Sequence, residues 1–178
     1  MTEKEREKKL REVEKDLFAS QDVLVMSALK KVKDIGDTSI IVPLLTVYKE
    51  NESKDVRNEI STMLSTIKVT GADLELGKAL KNPEFKQIRG SIMNFMWNAG
   101  VNPIDHIDTI TEIAVEGSFM DAVESLTVIE NMEGPFPEAE LMEALVIVKE
   151  FIVANPEDEK IELIKSLHEV LTNFEHYQ

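Results

Sequence analysis

One pattern of apolar residues recurs along this chain at a fixed interval. Val56, Ile60, Met63, Leu64 and Ile67 carry the spacing of a single helix face. Thirty-two residues earlier the same offsets hold Leu24, Ala28, Lys31, Val32 and Ile35; thirty-two later they hold Ile88, Ile92, Phe95, Met96 and Ala99. A repeat of this length predicts a stacked array, because one unit cannot bury its apolar face alone and does so against its neighbours. Arrays of this kind present extended surfaces suited to binding.

Almost every segment reads as helix, and no run shows convincing two-residue alternation. Residues 1–20 form an N-terminal capping helix, charged outside, with Leu10, Val13, Leu17 and Phe18 as a narrow apolar stripe. The next helix runs to Ile35 and stops at Gly36; Asp37, Thr38 and Ser39 then supply capping chemistry for the helix holding Ile40 to Tyr48. Further turns fall at Asn51-Glu52-Ser53, Gly71, Asn82-Pro83, Gly100 and Gly117-Ser118, and the most rigid break is Gly134-Pro135-Phe136-Pro137. Two longer helices follow, over about 138–154 and 156–174. The helices are expected to pair as 21–50, 53–81, 83–116 and 118–154, with the last helix closing the array. The fourth unit is the least regular.

Several of these residues resemble the HEAT-like repeat, including its short bacterial relatives. The match runs through Gly36-Asp37, Ile41-Val42-Pro43-Leu44-Leu45, Asp55-Val56-Arg57, Ile60-Ser61-Thr62-Met63-Leu64 and Ile67, then Ile88-Arg89 and Ala99-Gly100. It covers most of residues 21–132 and weakens over 133–178. The resemblance implies one all-α domain over 1–178, an antiparallel helix-pair right-handed solenoid (HEAT/armadillo-like) of about ten helices. It also implies a protein-binding scaffold and carries no catalytic residues. Arg57 and Arg89 match the family's arginine, which looks structural, pairing with an aspartate or a carbonyl near the repeat turn.

Charge narrows the partner. Residues 1–100 hold 17 Lys/Arg against 16 Asp/Glu, a net of +1, whereas residues 101–178 hold 3 against 18, a net of −15. Such an acidic half repels nucleic-acid phosphate and anionic lipid and attracts a basic surface; its plain alternative role is solubility. There is no cysteine, so disulfides and thiolate zinc sites are excluded, in keeping with a reducing compartment. The N-terminus lacks the apolar core of a signal peptide, and the most apolar stretches, 40–47 and 141–148, are too short to span a bilayer. A cytoplasmic protein without a membrane partner is expected.

Candidate chemistry is sparse. His106 sits between Asp105 and Asp108 with Glu112 beyond, a set able in principle to hold a divalent ion; a solvated helix face is the simpler reading, and no metal is assigned. His168 and His176 have no serine or cysteine arranged as a nucleophile, and the seven glycines are scattered rather than gathered in a phosphate loop. Neither a cofactor nor a catalytic residue is expected. Trp97 stands where the other units have Lys33 and Ser65, which suggests a boundary position and a possible interface anchor, although a core-edge role is the commoner one. Met93, Met96 and Met120 fit either an adaptable surface or gaps between helices.

The sequence thus points to a non-catalytic interaction scaffold or adaptor for a basic protein, with Trp97, Glu138, Glu140 and Glu143 as candidate partner-binding residues. The alternative is a HEAT-like enzyme acting on damaged DNA bases. That reading needs a basic groove, and Lys78, Lys81, Lys86 and Arg89 form the one local cluster of the right sign.

Overall fold

The computed structural model describes residues 3–175. Among them are ten α-helices and no strand. In chain order these are α1 (Glu3–Leu17), α2 (Asp22–Ile35), α3 (Ile41–Glu50), α4 (Lys54–Ser65), α5 (Ala72–Lys81), α6 (Arg89–Ala99), α7 (Ile107–Glu116), α8 (Phe119–Glu130), α9 (Glu138–Ala154) and α10 (Ile161–Glu175). Among the described residues no helix is long and apolar enough to cross a membrane.

Local chemistry sets the turns. Asp37 accepts a hydrogen bond from the Ser39 amide (3.0 Å), Asn51 from Ser53 (2.8 Å), Asn82 from Glu84 (3.0 Å) and Asp158 from Lys160 (2.8 Å). Each short polar side chain thereby replaces a backbone acceptor two residues on. Gly100 ends α6 in the left-handed region, at φ 65°, which a residue with a Cβ enters at a cost. Ser118 and Asp121 close a reciprocal capping box at the start of α8.

Packing follows sequence order in two ways. Consecutive helices lie against each other as α1 with α2, α3 with α4, α5 with α6, α7 with α8 and α9 with α10. Across these pairs, α2, α4, α6, α8 and α10 touch in series, and so do α1, α3, α5, α7 and α9. The expected pairing is therefore shifted by one helix. The shortest turns, residues 51–53 and 117–118, fold α4 back on α3 and α8 back on α7, and a turn that short leaves its helices side by side.

The core lies between the two series. Val56, Ile60 and Leu64 of α4 and Ile92 and Met96 of α6 are fully buried, with Met63 and Ile67 packed at the edge. Burying a side chain such as Ile60 contributes about 1.5–3 kcal/mol. The first copy of the motif departs from this. Ala28 and Val32 are buried, but Leu24 is 46% exposed. Because α2 packs along α1 as well as α4, its buried face is centred on Val25, Ala28, Leu29 and Val32. In α1, Val13 and Leu17 are buried, while Phe18, just past its end, is half-exposed. The last helix starts at Ile161 rather than Pro156, since residues 156–160 form turns.

Candidate functional site

The set around His106, to which no metal is assigned, does not lie on a solvated face either. His106 is buried, and Asp105 beside it is exposed. The imidazole lies against Gly77 of α5, so close that a Cβ built on Gly77 would fall 1.9 Å from Cδ2 and Nε2. Asp108 pairs instead with Lys81 (3.5 Å). Burial lowers the His106 pKa from 6.5, with Lys81 acting in the same direction and Asp108, Asp105 and Asp73 opposing it. Its Nδ1 is buried without a hydrogen-bond partner among the described residues. Among the described residues no three His, Asp or Glu side chains are grouped to hold a metal ion. His168 on α10 likewise buries an Nε2 with no partner among the described residues, and His176 lies outside them.

The basic cluster is largely engaged in structure. Lys78 pairs with Glu75 (2.7 Å), Lys81 with Asp108, and Arg89 donates from Nε to the Leu80 carbonyl (2.8 Å) at the end of α5. Lys86 shares a small cleft with Arg89, Glu116 and Asp121. Arg89 thus meets a carbonyl, as the motif implies. Arg57 does not: its guanidinium stacks 4.8 Å over the Tyr48 ring, which in turn meets Phe95 edge-on and donates to Ser91 Oγ (3.3 Å). Tyr48 so ties α3 to α4 and α6.

Trp97 is 41% exposed on α6, a boundary position. It lines a shallow cleft of about 290 Å³ with Val101, Asn102, Val128, Asn131 and Glu133. The Asn102 side chain in that cleft is already paired with the Glu133 backbone. Met93 and Met96 are buried, and Ser125 Oγ donates to Met93 Sδ (3.3 Å) between α6 and α8; Met120 is exposed.

Glu138, Glu140 and Glu143 occupy the first two turns of α9, but not one face. Residues two apart on a helix point to different sides; Glu138 and Glu143 are exposed and Glu140 is half-buried. Nor does the fold unite them with Trp97, since the main packing neighbours of α9 are α7 and α10. Glu143 does act electrostatically on a carboxylate of α7. Glu112 has its pKa raised, first by partial burial and then by Glu116, Asp108 and Glu143, with Lys81 opposing. The ammonium of Lys81 is committed to Asp108, so an excess of negative charge remains around Glu112.

The sequence reading had no means to single out Lys160. It is 6% exposed, and its ammonium donates to the carbonyls of Ala114 (3.2 Å), Val115 (2.8 Å) and Gly117 (2.7 Å), 5.3 Å from the centre of the Phe151 ring. A cation there satisfies the orphan carbonyls at the end of α7 and suits the helix dipole. Lys68 does the same for α6 through Ala99 (2.6 Å). An apolar cleft of about 370 Å³ between the ends of α2 and α4 includes Val32, Ile40, Leu44, Met63 and Ile67. Its lysines are already bonded, Lys33 to Glu59 and Lys68 to Ala99. The described residues offer surfaces of charge and apolar contact. No known protein family, curated protein or solved structure matches this chain.

Proposed function

We propose that this chain is a HEAT-like, right-handed α-solenoid that acts as a non-catalytic adaptor for a basic protein segment. Support for the solenoid comes from the two series of helix contacts, each element touching the next but one, as in stacked helix pairs. One observation carries the choice of partner: the charges of Glu116, Asp108 and Glu143 add to burial in raising the Glu112 pKa, and Lys81, the cation that opposes them, is already paired with Asp108. Like charges that repel in this way are relieved by an incoming cation, and attraction of that kind is screened by salt. The engagement of Lys78, Lys81 and Arg89 within the fold favours a protein partner over nucleic acid.

The test is fluorescence anisotropy with a labelled lysine-rich helical peptide, a glutamate-rich counterpart and a DNA duplex, each at low and high salt. Binding of the lysine peptide that weakens with salt, and weakens again in the Glu112→Gln, Glu116→Gln, Glu143→Gln variant, is expected. Preferential binding of the duplex would instead favour the DNA-base-repair reading.

A further inference from the structure

The outer face of α9 differs from the exposed faces of α1 and α10. Exposed positions on α1 include Lys4, Glu7, Lys8 and Arg11, and those on α10 are Glu162, Lys165, Ser166, Glu169, Asn173 and Glu175. On α9 the exposed positions include Ala139, Met142, Val146 and Val153, with Val153 82% exposed, Val146 50% and Met142 48%. Its opposite side is apolar too, with Leu141, Ala144, Leu145 and Val148 buried where α9 meets α7 and α10. A helix apolar all round is normally covered all round. Here one side is open.

The spacing of the open side is specific. Positions 139, 142, 146, 149 and 153 advance by alternating steps of three and four, the seam of a helix that packs along another helix. Lys149 is the one polar member. Glu143 and Glu150 each follow a seam residue by one position and so line the same edge. Both are exposed, and neither forms an ion pair among the described residues. Charges beside such a seam decide which helix is accepted. A second copy laid antiparallel would bring Glu143 and Glu150 against the same carboxylates, and that repulsion disfavours it. A helix with lysine or arginine beside its apolar stripe meets opposite charge instead.

We infer that the open face of α9 is a docking seam for a basic amphipathic helix, whose apolar residues lie along Met142, Val146 and Val153 and whose cations meet Glu143 and Glu150. The helix-in-groove mode of peptide recognition uses this spacing of anchors. An acidic residue in the stripe of the incoming helix, facing Lys149, would fix its register. The inference rests on the adaptor reading and adds to it the face used and the form of the partner.

The experiment uses the full chain and three synthetic peptides: a heptad helix with leucine in the seam and lysine beside it, the same helix with glutamate in place of lysine, and a scrambled lysine peptide of equal composition. The lysine heptad should bind about tenfold more tightly than either control, and Met142→Asn with Val146→Asn should weaken it about tenfold. Both substitutions are at exposed sites, so the fold is retained, and Leu74→Asn, an exposed leucine on α5, should change nothing. Equal binding of the scrambled peptide, or an unaffected double variant, would overturn the seam while leaving the adaptor reading in place. Equal binding of the glutamate helix would overturn the partner's charge. Self-association in sedimentation, lost in the double variant, would give the seam to a second copy. If no cationic peptide binds at any salt level, both readings fall.

Discussion

The imidazole of His106 occupies the volume that a side chain on Gly77 would fill, with Cδ2 and Nε2 only 1.9 Å from the site of the missing Cβ. Glycine inside a helix is ordinarily a weakness, by about 1 kcal/mol against alanine. At this position it lets α5 accept the buried ring that precedes α7. Gly77→Ala should therefore destabilise the protein by about 1–3 kcal/mol, overpacking outweighing the gain in helix propensity. Urea titration measures the loss. Adding His106→Ala should restore part of it, and a cycle of strictly additive effects would count against the contact.

The same histidine sets an acid response. Its folded pKa is lowered, so the unfolded chain takes the proton more readily. Its contribution to stability is therefore complete above the unfolded value of 6.5 and is lost as the pH falls from there through the folded value. Unfolding free energies on either side of pH 6.5 should show this slope, and His106→Gln should flatten it. Glu112 acts with the opposite sign and in a more acidic window. Its raised pKa makes its contribution greatest at low pH, and that contribution is lost as the carboxyl ionises. An unchanged slope in His106→Gln would assign the acid response to other groups.

Ile60 tests the repeat itself. It is fully buried at the centre of the best-matching copy, and Ile60→Asp should cost ~3 kcal/mol or more by placing a charge among apolar neighbours. Glu59, one residue earlier, pairs with a half-exposed Lys33, so Glu59→Ala should cost about 0.2–1 kcal/mol. The two midpoints in denaturant should differ accordingly.

Lys160 joins the turn before α10 to the end of α7. Lys160→Met keeps the length of the side chain and removes the donor to three carbonyls, so a loss of roughly 2–4 kcal/mol is expected. Amide hydrogen exchange should rise at the end of α7 and the start of α10. Lys165→Met, at an exposed pair with Glu162, is the control and should have little effect.

Periodicity and turn chemistry are local, and the sequence carried both. The spacing around Ile60 and Ile92 marked helices whose buried faces are observed. Asp37, Asn51, Asn82 and Gly100 marked their ends. The excess of negative charge after residue 100 was equally legible, being a count. Tertiary packing decided the rest, because contacts between distant residues leave no mark on spacing. The rotation of α2 away from Leu24 depends on α1 lying along it. Only the fold distinguishes Lys160 from an exposed lysine, by closing the end of α7 over it. Gly77 and His106 are 29 positions apart, and their fit exists only once α5 and α7 pack. The open apolar side of α9 was likewise decided by packing: the helix stands at the end of its contact series, against α7 and α10, which leaves Met142, Val146 and Val153 exposed.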